Sequence, residues 1–225
     1  MAELTVDSGF PELLIRSPGV TDADDIALLT RWRAGDNDAG QLLFGRHFDS
    51  IYGFFETKCA ADADELTQST FLACMRAREQ FRAESSFRTY LFTIARNELY
   101  RVLRTRQRND AKLDFELSSI ADLVSTAGTR LGRNQEHRQL LDALQHLPVA
   151  QQTLLELHYW EEMDIAQLAQ VFDAPTATIR TRLHRARKAL RERIEATAPR
   201  EVSETLETLE SMDAWAKGVA HRVSK

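Results

Sequence analysis

The chain has 225 residues, 43% hydrophobic and 28% charged, with nine Gly and five Pro, enough for one large or two small buried cores and unlike disordered or collagenous chains. No run approaches the ~18–20 apolar residues that cross a bilayer, so no membrane insertion is expected. The net charge of −5 is segregated: residues 1–66 carry 13 acids against 5 bases and 113–174 come to −7, whereas 76–112 and 175–194 are each +6. Two basic islands in an acidic chain suit two separate contacts with a polyanion.

The N-terminus MAELTVDSGF is acidic and lacks the basic and apolar segments of a secretory signal. Residues 1–22, with FPELLIRSPGV between prolines, read as a loosely docked leader. From Asp24 the periodicity is helical: Ile26, Leu28, Leu29 and Trp32, then a break at Ala34-Gly35-Asp36. A second helix carries Leu42, Leu43, Phe44, Phe48, Ile51, Tyr52, Phe54 and Phe55, and a third follows from CAADADELTQ with Leu66, Phe71 and Leu72. Ser85 and Ser86 offer N-caps for a long helix, FRTYLFTIARNELYRVLRTRQR, with Tyr90, Leu91, Ile94, Leu99, Val102 and Leu103 as its inner surface. Four arginines at its far end suit a helix C-terminus.

Periodicity is lost over 107–135, which is rich in Ser, Thr, Gly, Asn and Asp and reads as a flexible linker. Helices resume with HRQLLDALQHL and with PVAQQTLLELHYWEE, where Pro148 fits the first helical position. The stretch 164–194 then reads as two helices about a tight turn, opened by a capping box of Asp164 and Gln167. In the second, Ile179, Leu183, Ala186, Leu190 and Ile194 form one apolar stripe. At ~100° per residue Thr181, His184, Arg185 and Lys188 lie opposite, with Arg180 and Arg191 on the flank, a face suited to a DNA major groove. After Pro199 one more amphipathic helix is expected, with Val202, Leu206, Leu209, Met212, Ala216 and Val219 on a stripe.

The expected fold is all-α: a leader at 1–22, a helical domain at 23–108, a linker at 109–135, a helix-turn-helix domain at 136–196 and a helical extension at 197–225. Cys59 and Cys74 form no framework and no Cys/His cluster has zinc spacing, so free thiols in a reducing cytoplasm are expected, with no metal and no cofactor. No carboxylate is paired with a nearby His or nucleophile and no phosphate-cradling Gly-rich loop occurs, so the chain does not read as an enzyme.

Over residues 24–195 the sequence resembles the bacterial RNA polymerase sigma factors of the small, extracytoplasmic-function type. The parallels are DDIALLTRWRAGD, ADELTQSTFLACMRAREQF and SSFRTYLFTIARNELYRVLR for the promoter-melting domain. LQHLPVAQQTLLELHYWEEMDIAQLAQVFDAPTATIRTRLHRARKAL parallels the C-terminal helix-turn-helix domain. The resemblance implies an alternative sigma factor that binds core RNA polymerase, recognises the minus-35 and minus-10 elements of promoter DNA about two helical turns apart, and promotes melting. By resemblance Leu66, Gln68, Phe71 and Leu72 would contact the polymerase clamp. Phe81, Arg88, Arg96, Asn97, Tyr100, Arg101 and Arg104 would hold the melted minus-10 element, through the stacking and cationic chemistry that single strands require. Asn97 falls where relatives line a pocket for a flipped base. Thr178, Arg180, Thr181, His184, Arg185 and Lys188 would meet the minus-35 element.

Three positions depart from the family pattern: Tyr90 stands where Trp is commoner, Asp173 where the turn glycine is usual, and Ala177 where a glycine usually precedes Thr178. A monomer is expected when free, and an anti-sigma protein is a further partner the family allows. Two other classes stand beside this one. A dimeric helix-turn-helix regulator would leave ADELTQSTFLACM and the IARN helix unexplained, and a nuclease or recombinase would need a metal cluster or nucleophile. The extension at 200–225 is either a regulatory helix packed on one of the domains or a stabilising cap.

Overall fold

A computed structural model of the chain describes residues 22–82, 84–106, 113–124 and 135–197. The leader and nearly all of the C-terminal extension lie outside these residues. Among the described residues there are helices and turns but no strand, apart from one isolated bridge between Ser119 and Pro148.

The first unit is built from α1 (Asp22–Arg33), α2 (Asn37–Cys59), α3 (Ala63–Ala77) and α4 (Phe87–Arg106). Acids in the first turn of α1 and arginines in its last complement the helix dipole. Gly35, at φ 100°, makes the turn into α2 in a conformation that glycine adopts without steric cost. Asp36 then caps α2 by accepting from the Ala39 N–H, while the Arg31 guanidinium grips it at 2.7 and 2.9 Å. The Ala39 amide, and next Arg31, hold the Asp36 carboxyl below its ordinary range. Trp32 lies flat enough on α2 that a Cβ at Gly40 would come within 2.7 Å of its indole, so the glycine is what allows α1 and α2 to approach. Ser86 caps α4, accepting from the Thr89 N–H at 3.1 Å.

The inner line of α4 runs through Phe87, Leu91, Phe92, Ala95, Leu99 and Leu103, whereas Tyr90, Ile94 and Val102, expected inside, are only partly buried. The shift has a cause: α4 packs against α3 on one side and against the second unit on the other.

That second unit comprises α6 (Gln135–Gln145), α7 (Val149–Tyr159), α8 (Ile165–Phe172) and α9 (Thr176–Thr197). Pro148 sits one position earlier than expected, as the extended residue before α7, its carbonyl accepting from Gln151 and Gln152. The capping box of Asp164 and Gln167 forms in both directions. α8 ends in a Schellman motif: Asp173 takes the left-handed conformation, with its N–H on the Gln170 carbonyl and the Ala174 N–H on that of Ala169.

Of the connector expected to be flexible, residues 113–124 are described, and they form a seated strap. Phe115 and Ile120 are apolar enough to be buried, and the carbonyls of Phe115 and Ser118 accept from Ala150 and Val149 at the start of α7. Within it a single turn, α5 (Ile120–Leu123), is held by a capping box of Ser119 and Asp122.

Candidate nucleic-acid interface

The recognition-helix geometry follows from burial. Ile179, Leu183, Ala186, Leu190 and Ile194 are all buried, which fixes the roll of α9 about its own axis. With that stripe inside, Arg180, Thr181, His184, Arg185 and Lys188 are exposed together, and Thr178 is half-buried at the helix start. The Thr181 hydroxyl donates back to the Ala177 carbonyl at 3.1 Å, and Lys188 lies 3.7 Å from Glu192, an exposed and therefore weak pair. Arg187, on the inner flank, is instead a structural residue that donates to the Tyr159 hydroxyl at 2.8 Å. The exposed face is thus cationic and hydroxylic, with donors for guanine edges and phosphates.

The second basic surface, on α4, is arranged differently. Asn97, Arg101 and Arg104 are exposed, with Arg101 paired to Glu98 at 2.6 and 3.0 Å. Arg88, Arg96 and Tyr100 are partly covered by the second unit and the strap. Burial pushes the Tyr100 phenol up to about 12, so it is a neutral ring and hydrogen-bond donor at any physiological pH. Phe81 is 6% exposed, edge-on to Phe87 and tilted against Tyr90 at 4.8 Å. Its faces are occupied by these rings, so it shapes the surface from below and does not present a face for a base.

The expected polymerase-facing residues divide in the same way. Gln68 and Leu72 are exposed, Leu72 at 41%. Leu66 at 1% and Phe71 at 8% belong to the core. Above Phe71, Phe48 from α2 stacks at 6.2 Å with the rings within 7° of parallel, and is itself 46% exposed. Met75 on α3 and Leu42 on α2 are likewise large, apolar and exposed. These three were not singled out from the sequence. The available signal was the crowding of apolar residues around α2, more than one buried face can absorb.

Among the described residues no group of His, Cys, Asp and Glu could hold a metal ion, and no helix is long and apolar enough to cross a membrane. Both thiols are buried, and burial raises Cys59 to about 11 and Cys74 to about 12.

Fold and site together define a helical DNA-binding protein with a helix-turn-helix in its second unit and a basic, aromatic helix in its first. Family comparison is specific on both: residues 44–109 match sigma-70 region 2 and residues 137–190 match sigma-70, region 4, in that order and together over more than half of the chain. The chain belongs to the sigma-70 family of RNA polymerase sigma factors, and its function is that of an alternative sigma factor in transcription initiation.

Similar curated proteins include the ECF RNA polymerase sigma-E factor of Haemophilus influenzae, 27% identical over 76% of this chain and 95% of its own length. The RNA polymerase sigma-H factor of Pseudomonas aeruginosa is 29% identical over 76% of this chain and 94% of its own. Among solved structures, the sigma factor RpoE in complex with the anti-sigma factor NepR from Bartonella quintana aligns with a TM-score of 0.55 at 23% identity. It covers 72% of this chain and 98% of that one. CnrH in complex with the cytosolic domain of CnrY aligns with a TM-score of 0.58 at 21% identity, over 78% of this chain and 99% of that one. Both share the fold.

Proposed function

We propose that the protein works in the cytoplasm as a non-catalytic specificity subunit that docks on core RNA polymerase and reads promoter DNA at two points. The observation that carries this is the roll of α9. Its apolar stripe is buried along its length, so that Arg180, Thr181, His184, Arg185 and Lys188 face outward as one surface. In this role Thr178 and those five meet the minus-35 element, with the arginines on guanine edges or phosphates. Arg88, Arg96, Asn97, Tyr100, Arg101 and Arg104 hold the melted minus-10 strand, with Phe81 supporting them from the core. Gln68 and Leu72, joined by Phe48 and Met75, dock on polymerase, while Leu66 and Phe71 fix their spacing from beneath. A buried apolar cluster with an exposed aromatic at its centre is the pattern of an interface anchor. An anti-sigma protein is a natural further partner, since the RpoE structure was captured with the anti-sigma factor NepR.

The test is run-off transcription with core polymerase on a promoter library, together with co-elution of the chain and core enzyme. The Arg185→Ala variant is expected to bind core polymerase normally while losing promoter affinity by about 1–3 kcal/mol, the worth of one good base contact. The Phe48→Ser/Leu72→Ser variant is expected to stay folded but no longer co-elute. Folded wild-type protein that forms no stoichiometric complex with core polymerase would refute the reading.

A further inference from the structure

Residues 198–225 lie beyond both family matches and outside the described residues, but their sequence has an order of its own. At ~100° per residue Leu209, Met212, Ala216, Val219 and Val223 share one stripe, with Trp215 at its edge. Charge is divided along the stretch: 200–213 holds five acids against Arg200, and 214–225 holds Lys217, Arg222 and Lys225 with no acid. Gly218 falls in the middle, at a cost of about 1 kcal/mol to a helix, and so short a helix is marginal alone in water. A sequence of this kind needs a surface to fold against.

The first unit offers one that matches it in apolar character, length and charge. Phe48 of α2 stacks on Phe71, and Leu72 and Met75 follow within a turn of Phe71 on α3. Phe48, Leu72 and Met75 are each 41–46% exposed, an open apolar strip of the sort that marks a site of association. One end of the strip is acidic. Burial, then the charges of Glu56 and Asp64, raises the Tyr52 phenol, which places both carboxylates beside that ring, and exposed Glu65 follows Asp64. At the other end Arg76 is exposed, next to Met75. From Glu65 to Arg76 helix α3 rises about 16 Å, and a helix over 212–223 has the same length. The recognition face of α9 would pair with the acids at 200–213 but gives the stripe nothing to cover. Among the described residues no large exposed hydrophobic lies on α9. The tether also suffices: residues 198–211 extend to about 46 Å, against about 30 Å for the diameter of a small domain.

We propose that residues 209–223 dock in cis as an amphipathic helix on the α2–α3 apolar strip, antiparallel to α3, and compete there with polymerase. Only the competition rests on the reading of this strip as a polymerase contact; the docking does not. In the antiparallel register Met212 meets Met75, Trp215 meets Leu72 and Arg222 meets Glu65, while Glu210 approaches Arg76. The macrodipoles of the two helices are then opposed, which is favourable. A tethered segment faces its site at an effective concentration on the order of millimolar, so a modest intrinsic affinity keeps the strip occupied until a larger partner displaces it.

The experiment uses the full-length chain. The photoreactive residue p-benzoyl-phenylalanine replaces Trp215, and crosslinked peptides of the monomer are identified by mass spectrometry. Crosslinks are expected to α2 or α3, between residues 48 and 76. Lys217→Glu/Arg222→Glu is expected to remove them, and adding Asp64→Lys/Glu65→Lys to restore them, with circular dichroism verifying the fold throughout. Val219→Ser/Val223→Ser, which strips the stripe alone, is expected to bind core polymerase roughly 10-fold more tightly because the competent fraction rises. Crosslinks to 135–197, as for a cap on the second unit, overturn the docking. So do crosslinks between two chains, or none. Crosslinks to α2 and α3 with unchanged polymerase affinity overturn the competition. Co-elution of Phe48→Ser/Leu72→Ser with core enzyme then places the fault in the polymerase reading of the strip, and its loss places the fault in the tail.

Discussion

Gly40 makes a sharp test of how region 2 is assembled. A methyl group there would sit 2.7 Å from both Cδ1 and Nε1 of Trp32, well inside contact distance. The indole cannot swing away cheaply: it is buried, edge-on to Phe44 at 5.0 Å and covered by the Arg78 guanidinium at 5.1 Å. Two effects oppose each other in Gly40→Ala. Replacing a helical glycine gains about 0.5–1 kcal/mol of backbone entropy. Overpacking a close-packed contact costs about 1–3 kcal/mol. Overpacking should win by about 1–2 kcal/mol, lowering the melting temperature of a domain this size by roughly 4–8 °C per kcal/mol. Urea denaturation followed by circular dichroism gives the number, and a double-mutant cycle with Trp32→Leu gives the cause. In the Trp32→Leu background the penalty should vanish, since the flat ring is what the methyl meets. A Gly40→Ala protein as stable as wild type would mean that α1 and α2 do not approach as closely as described.

Two further outcomes are expected. With Cys59 and Cys74 raised to about 11 and 12 by burial, the folded state disfavours the thiolate, so their contribution is intact below pH 9 and lost as pH rises. Each thiol should cost up to ~1.4 kcal/mol per pH unit across about 9 to 11; urea midpoints at pH 8, 9.5 and 10.5 should fall, and the Cys59→Ala/Cys74→Ala protein should flatten the decline. At the turn of the helix-turn-helix, Asp173→Gly should stabilise region 4 by several tenths of a kcal/mol, and Asp173→Val should destabilise it by about 1 kcal/mol, because the position is left-handed at φ 49°; thermal melts of both variants decide.

The helix-turn-helix was legible in the sequence because its signals are local. A capping box, one left-handed residue and a five-member stripe determine α8, the turn and α9 without reference to the rest of the chain. α4 was legible as a helix but not in its roll, since Phe87, Phe92 and Ala95 are buried by a helix touched from two sides. Leu66 and Phe81 lie in stretches matched to a surface role, yet their side chains point inward, and a sequence match does not say which side of a helix is wet. Phe48, Leu42 and Met75 were hidden for the opposite reason: in a run of apolar residues nothing distinguishes those left outside. Least legible was the joint between the units. Lys58 and Glu156 stand 98 residues apart, and each alone looks like an ordinary surface charge.

The strap has a consequence for reach. While Phe115 and Ser118 remain hydrogen-bonded to the start of α7, the strap travels with region 4, and only residues 107–112 separate it from the end of α4. Six residues, fully extended, span about 20 Å. With the strap seated, it and the end of α4 can therefore never lie much farther apart than that, and the hydrogen bonds that Ala150 and Val149 donate to Phe115 and Ser118 set how far the second unit can be carried from the first.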